Sequence, residues 1–232
     1  MDPVVAALRG SLLFGTLEAT HHEAFAKAAR RKRYVRNEAL WHAGDPVQEF
    51  TIVTAGLVKI CAPVRSGQTI VGIFGPHESI GDSAVISGRT YPADAIAATE
   101  TTDVIWISRA TILDAMGHDA AVANAVNRSI VAHSLALQNK IRILAAGSVP
   151  RRLATLFLHL AERFGDDLAD GDTMIPLVLS RADLACLVGT TVETTIRILS
   201  GWQKAGVIET STEGFRIAEL DPLERLAAVH DG

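Results

Sequence analysis

The sequence has little cysteine and no long apolar run, and each absence excludes a class of protein. Its two cysteines, Cys61 and Cys186, cannot supply the four thiolates of an iron–sulfur cluster, and no zinc-ligand spacing is present. So little cysteine indicates a reduced, intracellular protein, and we expect a cytoplasmic one. Since no run of about 18 apolar residues occurs and no basic region opens the N-terminus, we expect neither a membrane span nor a signal peptide.

An excess of positive charge is also missing. The 232 residues include 22 Lys and Arg against 26 Asp and Glu, a net charge of −4, and residues 148–232 alone hold 8 against 13. Bulk charge therefore argues against a general polyanion binder, but it leaves room for a sequence reader with a few well-placed arginines. Hydrophobic residues make up 48% of the chain, which is enough for packed cores, and the length fits two domains.

The hydrophobic pattern changes from helical to β-like and back along the chain. Residues 4–30 are predicted to be helical and to end in a basic cluster, 27–36, which we interpret as a solvated face. Between 34 and 107, short β-rich runs alternate with frequent glycines, which predicts a small sandwich or barrel. A hinge is predicted at 146–150, where a glycine ends one helix and a proline opens the next.

One long helix is predicted from about Asp119 to Ala146. Its apolar residues recur at spacings of three and four and form a seam along one side. The seam consists of Val126, Ile130, His133, Leu137, Ile141 and Leu144. A long helix with such a seam needs a partner, either its own domain or a second copy of the chain, and we favour a parallel pairing of two protomers.

Two short helices joined by a tight turn are predicted in the C-terminal part. Ser180 and Asp183 have the spacing of a capping box, Gly189 ends the first helix, and Thr191 is a good N-cap for the second. This is the helix–turn–helix pattern. The segment KAGVIETSTEGFRI that follows predicts a β-hairpin wing.

The second of these helices has two different faces. One is a core stripe of Thr195, Ile198, Leu199 and Trp202, and the other carries Val192, Glu193, Ile196, Arg197 and Ser200. On DNA, Arg197 can pair with guanine O6 and N7, Glu193 can accept from a cytosine or adenine amino group, and Val192 can pack on a thymine methyl. The alternative is a surface ion pair between Glu193 and Arg197 on a helix–turn–helix that serves packing alone.

The segment SRADLACLVGTTVETTIRIL resembles the signature of the Crp–Fnr family of bacterial transcription regulators, and the similarity extends over nearly the whole chain. The resemblance implies an α+β fold with an N-terminal β-roll, that is, a double-stranded β-helix or jelly roll. Its parts would be a sensor domain with N-terminal helices at 1–117, a dimerisation helix and hinge at 118–147, and a winged helix–turn–helix DNA-binding domain at 148–232.

The resemblance also implies a homodimer that binds a two-fold symmetric double-stranded DNA site with TGA-like half-sites, and RNA polymerase as a partner. Arg197 would read guanine, Glu193 would contact the complementary strand, and Val192 matches the Fnr-like branch. Phosphate contacts would come from Arg181, Thr191 and Ser200. Ile196 departs from the serine or glycine of the relatives, so we expect an apolar contact there.

The segment IGDSAVISGRTYPADA resembles the part of the β-roll that binds cyclic AMP in this family. It lacks most of the cation and hydrogen-bond donors that bind the nucleotide there. The candidate effector pocket consists of Gly81, Asp82, Ser83, Tyr91, Leu137 and Gln138. Asp82 stands in for a ribose-binding glutamate, Tyr91 and Pro92 replace an arginine–serine pair, and Leu137 and Gln138 replace adenine-contacting hydroxyls. A phosphate needs a cation and hydrogen-bond donors, so we do not expect cyclic AMP to bind.

Other forms of control and one other function remain open. The effector is unidentified, and the alternatives are a Dnr-type sensor of haem or nitric oxide, a cyclic-nucleotide-responsive regulator and a ligand-independent regulator. A cupin-like metal enzyme would need clustered histidines and carboxylates on strands. Because His42 and His77 are the only candidates there and neither lies in a His-x-His motif, we expect no enzyme and no metal site.

Overall fold

The structure is a computed structural model that describes residues 2–64 and 67–228. It consists of two compact units, Met1–Leu137 and Gln138–Gly232, which divide inside a helix of 26 residues. The three-part division expected from the sequence, in which that helix is a part of its own, stays a prediction.

The N-terminal unit contains two four-stranded antiparallel sheets. In chain order the strands are β1 (Ala29–Val35), β2 (Ala39–Trp41), β3 (Glu49–Ala55), β4 (Val58–Val64), β5 (Gly67–Phe74), β6 (Ser79–Ile80), β7 (Asp94–Ala97) and β8 (Thr101–Ser108). The first sheet has the order β1-β8-β3-β6 and the second β2-β7-β4-β5. The short β-rich runs therefore form a two-sheet β-roll, which confirms the predicted fold class.

The two central strands of the first sheet, β8 and β3, are buried on both faces. Neighbouring residues of a strand point to opposite sides, so Ile52 of β3 and Ile105 of β8 join one core while Val53 and Val104 join another. The first core lies against helices, and the second lies between the two sheets and includes Trp41. Because both faces of these strands are buried, their sequences do not alternate simply between polar and apolar residues.

The helices of this unit are α1 (Pro3–Gly10), α2 (Ala19–Ala28), α3 (Asp82–Ser87), α4 (Arg109–His118) and the first half of α5 (Ala120–Ala145). Helices α2, α3 and α4 pack on strands of the first sheet. The prediction of one helix over 4–30 is wrong in its middle. There the Ser11 hydroxyl accepts a hydrogen bond from Phe14 N at 3.0 Å and donates one to Leu8 O at 2.7 Å, which fixes a turn and lets Leu13 and Phe14 be buried.

The basic cluster at 27–36 lies mostly on the edge strand β1, so its placement at a helix end is wrong. Arg30 makes a two-pronged pair with Glu49 at 2.9 and 2.5 Å, and Arg33 does the same with Asp103 at 2.7 and 2.8 Å. Arg33 and Asp103 lie opposite each other on the adjacent strands β1 and β8, whereas Arg30 of β1 reaches across β8 to Glu49 at the start of β3. The cluster is a solvated face with paired charges, and cations on an edge strand also discourage pairing with other strands.

The predicted long helix is present as α5, but the residues of its apolar seam are buried or half-buried in the first half and exposed in the second. Val126 is buried and Ile130 packs on the first core, while His133 Nε2 donates a hydrogen bond to Ser79 O at 2.8 Å. Further along, Ile141 and Leu144 are 66% and 42% exposed. The first half of the seam therefore serves its own β-roll, and only the second half is left free.

The C-terminal unit combines four helices that follow α5 with a small sheet. Its elements are α6 (Val149–Phe164), β9 (Asp166–Asp167), β10 (Thr173–Ile175), α7 (Arg181–Val188), α8 (Val192–Lys204), β11 (Ile208–Thr210), β12 (Phe215–Ile217) and α9 (Asp221–Ala228). The sheet has the order β11-β12-β10-β9, and β11 with β12 forms the predicted hairpin wing. Gly147, with φ of 84°, ends α5 as expected for the hinge.

The core of the C-terminal unit joins helices α6 and α8 to the wing. The Phe157 ring packs edge-on against Phe215 at 5.1 Å and Trp202 at 6.3 Å between centroids. Gly214, in the hairpin turn, has φ of 146°, and a Cβ there would lie 2.1 Å from Ile175 O. Only glycine lets the turn approach β10 so closely.

Candidate nucleic-acid interface and effector cavity

The first helix of the helix–turn–helix begins at a capping box, as predicted. Asp183 N donates to Ser180 Oγ at 3.0 Å, and Ser180 N donates to Asp183 Oδ2 at 3.1 Å. These bonds satisfy main-chain donors that have no partner within α7. The start of α7 is therefore fixed by its own sequence.

The turn between α7 and α8 follows the predicted signals as well. Gly189 has φ of 64° and ψ of 56°, the left-handed conformation that ends a helix without strain only at glycine. Thr191 caps α8, because its hydroxyl accepts from Thr194 N at 3.2 Å. The direction in which α8 leaves the turn is set by these two residues.

Helix α8 presents the two faces expected from its sequence. Thr195, Ile198 and Leu199 are buried, and Trp202 is half-buried against α6. The opposite face is exposed and carries Val192, Glu193, Ile196, Arg197 and Ser200. Val192 is 37% and Ile196 47% exposed, so both apolar side chains are available to contact a partner of this face.

The two charged side chains on this face are free of each other. Among the described residues, neither Glu193 nor Arg197 has a side-chain hydrogen bond or ion pair. The alternative of a surface ion pair at spacing i,i+4 is therefore not what the structure contains. A carboxylate acceptor and a guanidinium donor stand unpaired beside two apolar side chains, which is the chemistry that base edges require.

The three predicted phosphate contacts differ in how available they are. Ser200 is exposed on α8. Thr191 is engaged as the N-cap, and Arg181 Nη2 donates to Thr210 Oγ1 of the wing at 2.9 Å. The Arg181 side chain would have to share or exchange this bond in order to reach a phosphate.

Two cations donate hydrogen bonds to the last main-chain carbonyls of α7. Neither was predicted from the sequence. Lys140 Nζ donates to Cys186 O at 3.2 Å and to Leu187 O at 2.5 Å, and Arg152 Nη1 donates to Val188 O at 2.7 Å. Lys140 is only 9% exposed, and burial lowers its pKa to about 8. A lysine between apolar residues in the seam of α5 is the one sequence signal that could have identified it.

The β-roll contains a cavity of about 280 Å³ at the expected effector position. Four of the six predicted pocket residues line it, namely Gly81, Ser83, Tyr91 and Leu137. Gln138 is not among the lining residues and belongs to the C-terminal unit. Trp41, Phe74 and His133 complete the aromatic part of the wall and were not predicted as pocket residues.

Asp82 does not line this cavity, so its placement as a ligand-facing group is corrected. Its side chain is fully buried, and Oδ2 accepts hydrogen bonds from Ser79 Oγ at 2.6 Å and from Ser129 Oγ of α5. Burial raises the pKa of Asp82, while His133 and the two serine hydroxyls oppose that shift. The carboxyl joins the β6–α3 turn to α5 and faces the protein interior.

Comparisons with known proteins agree with this geometry. Residues 31–119 match the family model of the cyclic nucleotide-binding domain, and residues 151–226 match that of the Crp-like helix-turn-helix domain. The fumarate and nitrate reduction regulatory protein of Escherichia coli K12 is 27% identical over 199 residues, which are 85% of this chain and 78% of that protein.

Two solved structures show the same fold. FixK2 from Bradyrhizobium japonicum has a TM-score of 0.75 at 22% identity, covering 88% of this chain and 99% of its own. The c-di-GMP-responsive regulator CLP of Xanthomonas campestris has a TM-score of 0.71 at 22% identity, covering 87% and 100%. These likenesses, at such low identity, establish the architecture.

A β-roll followed by a winged helix–turn–helix with an open polar face defines this chain as a transcription regulator with a DNA-binding domain. It belongs to the Crp–Fnr family, whose members are regulators and not enzymes, so the cupin alternative is not retained. Within the described part of the chain, no helix is long and apolar enough to cross a membrane.

Proposed function

We propose that the protein acts as a homodimer that reads a two-fold symmetric DNA site with TGA-like half-sites, under the control of a signal received at the β-roll. The observation that carries the proposal is the exposed face of α8. Arg197 and Glu193 are unpaired there, beside Val192 and Ile196, on a helix whose other face is anchored in its own core. Such a helix can enter a major groove without losing internal contacts.

The dimer is proposed to form along α5. Large apolar side chains on this helix are exposed, namely Val131, Leu135, Leu137, Ile141 and Leu144. Several exposed apolar residues on one helix indicate a surface that another copy covers. A parallel pair of α5 helices would also give the assembly the two-fold symmetry of a palindromic site.

The roles within the interface follow from side-chain chemistry. Arg197 is proposed to pair with guanine O6 and N7, and Glu193 to accept from an amino group on the complementary strand. Ser200, Thr191 and Arg181 are proposed to hold phosphates and so to fix the register without reading sequence. RNA polymerase remains the proposed partner through which the bound protein acts on transcription.

Fluorescence anisotropy of the full chain on a palindromic TGA-containing duplex tests the DNA proposal. Arg197→Ala should weaken binding by about 1–3 kcal/mol and remove the preference for guanine at that step. Arg225→Ala is the matched control, because this exposed arginine of α9 lies near Asp221 and off the α8 face. Equal losses in both variants, or none in Arg197→Ala, would remove the assigned role.

The signal is proposed to be something other than a cyclic nucleotide. Sensing of haem or nitric oxide, and regulation without an effector, stay as alternative proposals. The absorption spectrum of protein purified from its own host, before and after reduction, tests for haem. Tight, specific DNA binding by the untreated protein would favour the form that needs no effector, whereas an allosteric sensor should change its DNA affinity when the effector is added.

A further inference from the structure

We propose that the β-roll cavity binds a neutral, mainly aromatic molecule of one or two rings that carries a single hydrogen-bond donor. This inference rests on the proposed function in one respect only, namely that a ligand of the β-roll controls DNA binding. The class of ligand is argued from the cavity itself.

The volume of the cavity sets the size of the ligand. At about 280 Å³ it is larger than the ~150 Å³ that accommodates a single benzene ring, and it lies near the lower end of the ~300–1,000 Å³ of typical ligand sites. Strands β2, β4 and β5, helix α3 and the His133–Leu137 part of α5 all contribute to the wall. A ligand inside it would therefore touch both sheet and helix.

The aromatic walls offer ring faces, because their polar atoms are already bonded to the main chain. Trp41 and Tyr91 are stacked, with centroids 4.1 Å apart and an interplanar angle of 13°. Trp41 Nε1 donates to Ala93 O at 3.0 Å, and the Tyr91 hydroxyl donates to Glu49 O at 3.2 Å. Burial also raises the pKa of Tyr91, so that its phenol stays neutral.

His133 supplies one directional contact. Its Nε2 lies 2.8 Å from Ser79 O, and since a carbonyl oxygen can only accept, Nε2 carries the hydrogen. In the neutral ring the other nitrogen, Nδ1, is then an acceptor. The ring also stands at 90° to Phe74, with centroids 5.5 Å apart, which fixes its orientation. A ligand with one O–H or N–H donor matches this arrangement.

A phosphate-bearing ligand does not fit the same walls. No lysine or arginine is among the described residues that line the cavity. The carboxyl of Asp82 is buried between two lining residues, Gly81 and Ser83, and any charge on it would repel an anion. Burying a phosphate without a paired cation is strongly unfavourable. The chain therefore keeps the fold that its cyclic nucleotide-binding family model describes and has a cavity of different chemistry.

Calorimetric titration of the full chain with two matched probes tests the inference. The first probe is 2-naphthol, a neutral two-ring molecule with one O–H donor, and the second is 2-naphthyl phosphate, which has the same rings and an anionic group. We expect 2-naphthol to bind at one site per chain, and 2-naphthyl phosphate and cyclic AMP to bind on the order of a hundredfold more weakly or not at all. Binding of either phosphate as tight as that of 2-naphthol, or no binding of 2-naphthol, would overturn the proposal.

Cavity-filling variants locate the site. Ala136→Phe in α5 and Ala62→Phe in β4 each place a ring inside the cavity, and each should weaken 2-naphthol binding by about tenfold or more. Ala132→Phe, at an exposed position of α5, is the matched control and should bind normally. If a folded cavity variant binds 2-naphthol like the wild type, the ligand lies elsewhere and the assignment fails.

The same preparations separate this inference from the proposed function. DNA affinity is measured with and without 2-naphthol, because a regulator controlled from the β-roll can need its ligand for specific DNA binding. Specific DNA binding without 2-naphthol binding would overturn the cavity assignment and leave the regulator intact. Binding of 2-naphthol at the cavity without specific DNA binding would support the cavity assignment and contradict the proposed function.

Discussion

The Lys140 ammonium group, in the second half of α5, donates a 2.5 Å hydrogen bond to the main-chain oxygen of Leu187 in the last turn of α7. It also reaches Cys186 O, and Arg152 of α6 reaches Val188 O. The last carbonyls of a helix have no partner within it and form the negative end of its dipole. Two cations from two other helices thus satisfy the end of α7 and fix the turn that leads into the reading helix.

Replacement of Lys140 by Met should destabilise the C-terminal unit. The apolar stem is kept, but the carbonyls of Cys186 and Leu187 lose their donor, at a cost of about 1–3 kcal/mol. Urea unfolding at pH 7 measures the change, followed by fluorescence in a background where Trp41→Phe and Trp106→Phe leave Trp202 as the one tryptophan. Lys204→Met, at an exposed position of α8, is the control and should stay within about 0.5 kcal/mol of the wild type.

The same variant should also change the pH dependence of stability. Burial lowers the pKa of Lys140 to about 8 in the folded chain, whereas an unfolded lysine keeps its proton up to about 10.4. Between these values the unfolded state binds more protons, so this group makes the unfolding free energy rise with pH. The difference between wild type and Lys140→Met should therefore shift in favour of the wild type from pH 8 to pH 10, and a constant difference would contradict the buried, titrating lysine.

Asp82 should make the stability of the N-terminal unit fall with pH, which is opposite to the effect of Lys140. Asp82→Asn should remove this dependence. Burial raises the pKa of this carboxyl above its usual 3.8, so the folded state binds more protons and stability falls as pH rises through that range. Relative to Asp82→Asn, the wild type should lose stability from pH 4 upwards, as measured by urea unfolding of both proteins. Asp166→Asn, at an exposed position, is expected to show no such trend, and parallel curves for wild type and Asp82→Asn would refute the assignment.

Ile141→Glu should break the proposed dimer. Ile141 is 66% exposed in the single chain, and a glutamate in its place would be buried without a partner in a helix pair. The cost of about 3 kcal/mol or more corresponds to roughly a hundredfold or greater rise in the dimer dissociation constant. Sedimentation velocity measures it, with Ala132→Glu on the opposite side of α5 as control. A dimer that tolerates Ile141→Glu as well as Ala132→Glu does not use this face.

Ile196 should read a thymine methyl, and a double-mutant cycle can isolate that contact. Replacing the contacted thymine by uracil removes only the methyl group, and Ile196→Ala removes the side chain that would pack on it. In wild type the uracil substitution should cost about 0.5–1 kcal/mol, near the value of one buried methyl, and in Ile196→Ala it should cost nothing further. Additive losses would mean that Ile196 contacts something else.

Local signals made the helix–turn–helix readable from the sequence. These signals are the capping box of Ser180 and Asp183, the left-handed Gly189 and the Thr191 cap. Each involves residues that are close together in the sequence, and the structure contains all of them. The free face of α8 followed from helical spacing alone. Such features need no knowledge of distant contacts, which is why they were predicted correctly.

The wrong or missing predictions depend on contacts between distant parts of the chain. The basic cluster forms a strand because β8 pairs with it, and Arg33 finds Asp103 seventy residues away. Lys140 and Leu187 are likewise far apart in sequence. Asp82 was placed at a ligand because it stands in for the ribose-binding glutamate of the family it resembles, whereas Ser129 of α5 holds it inside. The spacing of residues along the chain does not predict such long-range contacts.

Selection of binding sites from a random duplex library, carried out in parallel with wild type and Arg197→Ala, tests the central claim most directly. The wild type should enrich two inverted TGA half-sites whose centres are one helical turn apart, about 10 base pairs. Arg197→Ala should retain the inverted symmetry and lose the preference for guanine. Enrichment of no motif by the wild type, or of the same guanine-containing motif by both proteins, would contradict the account.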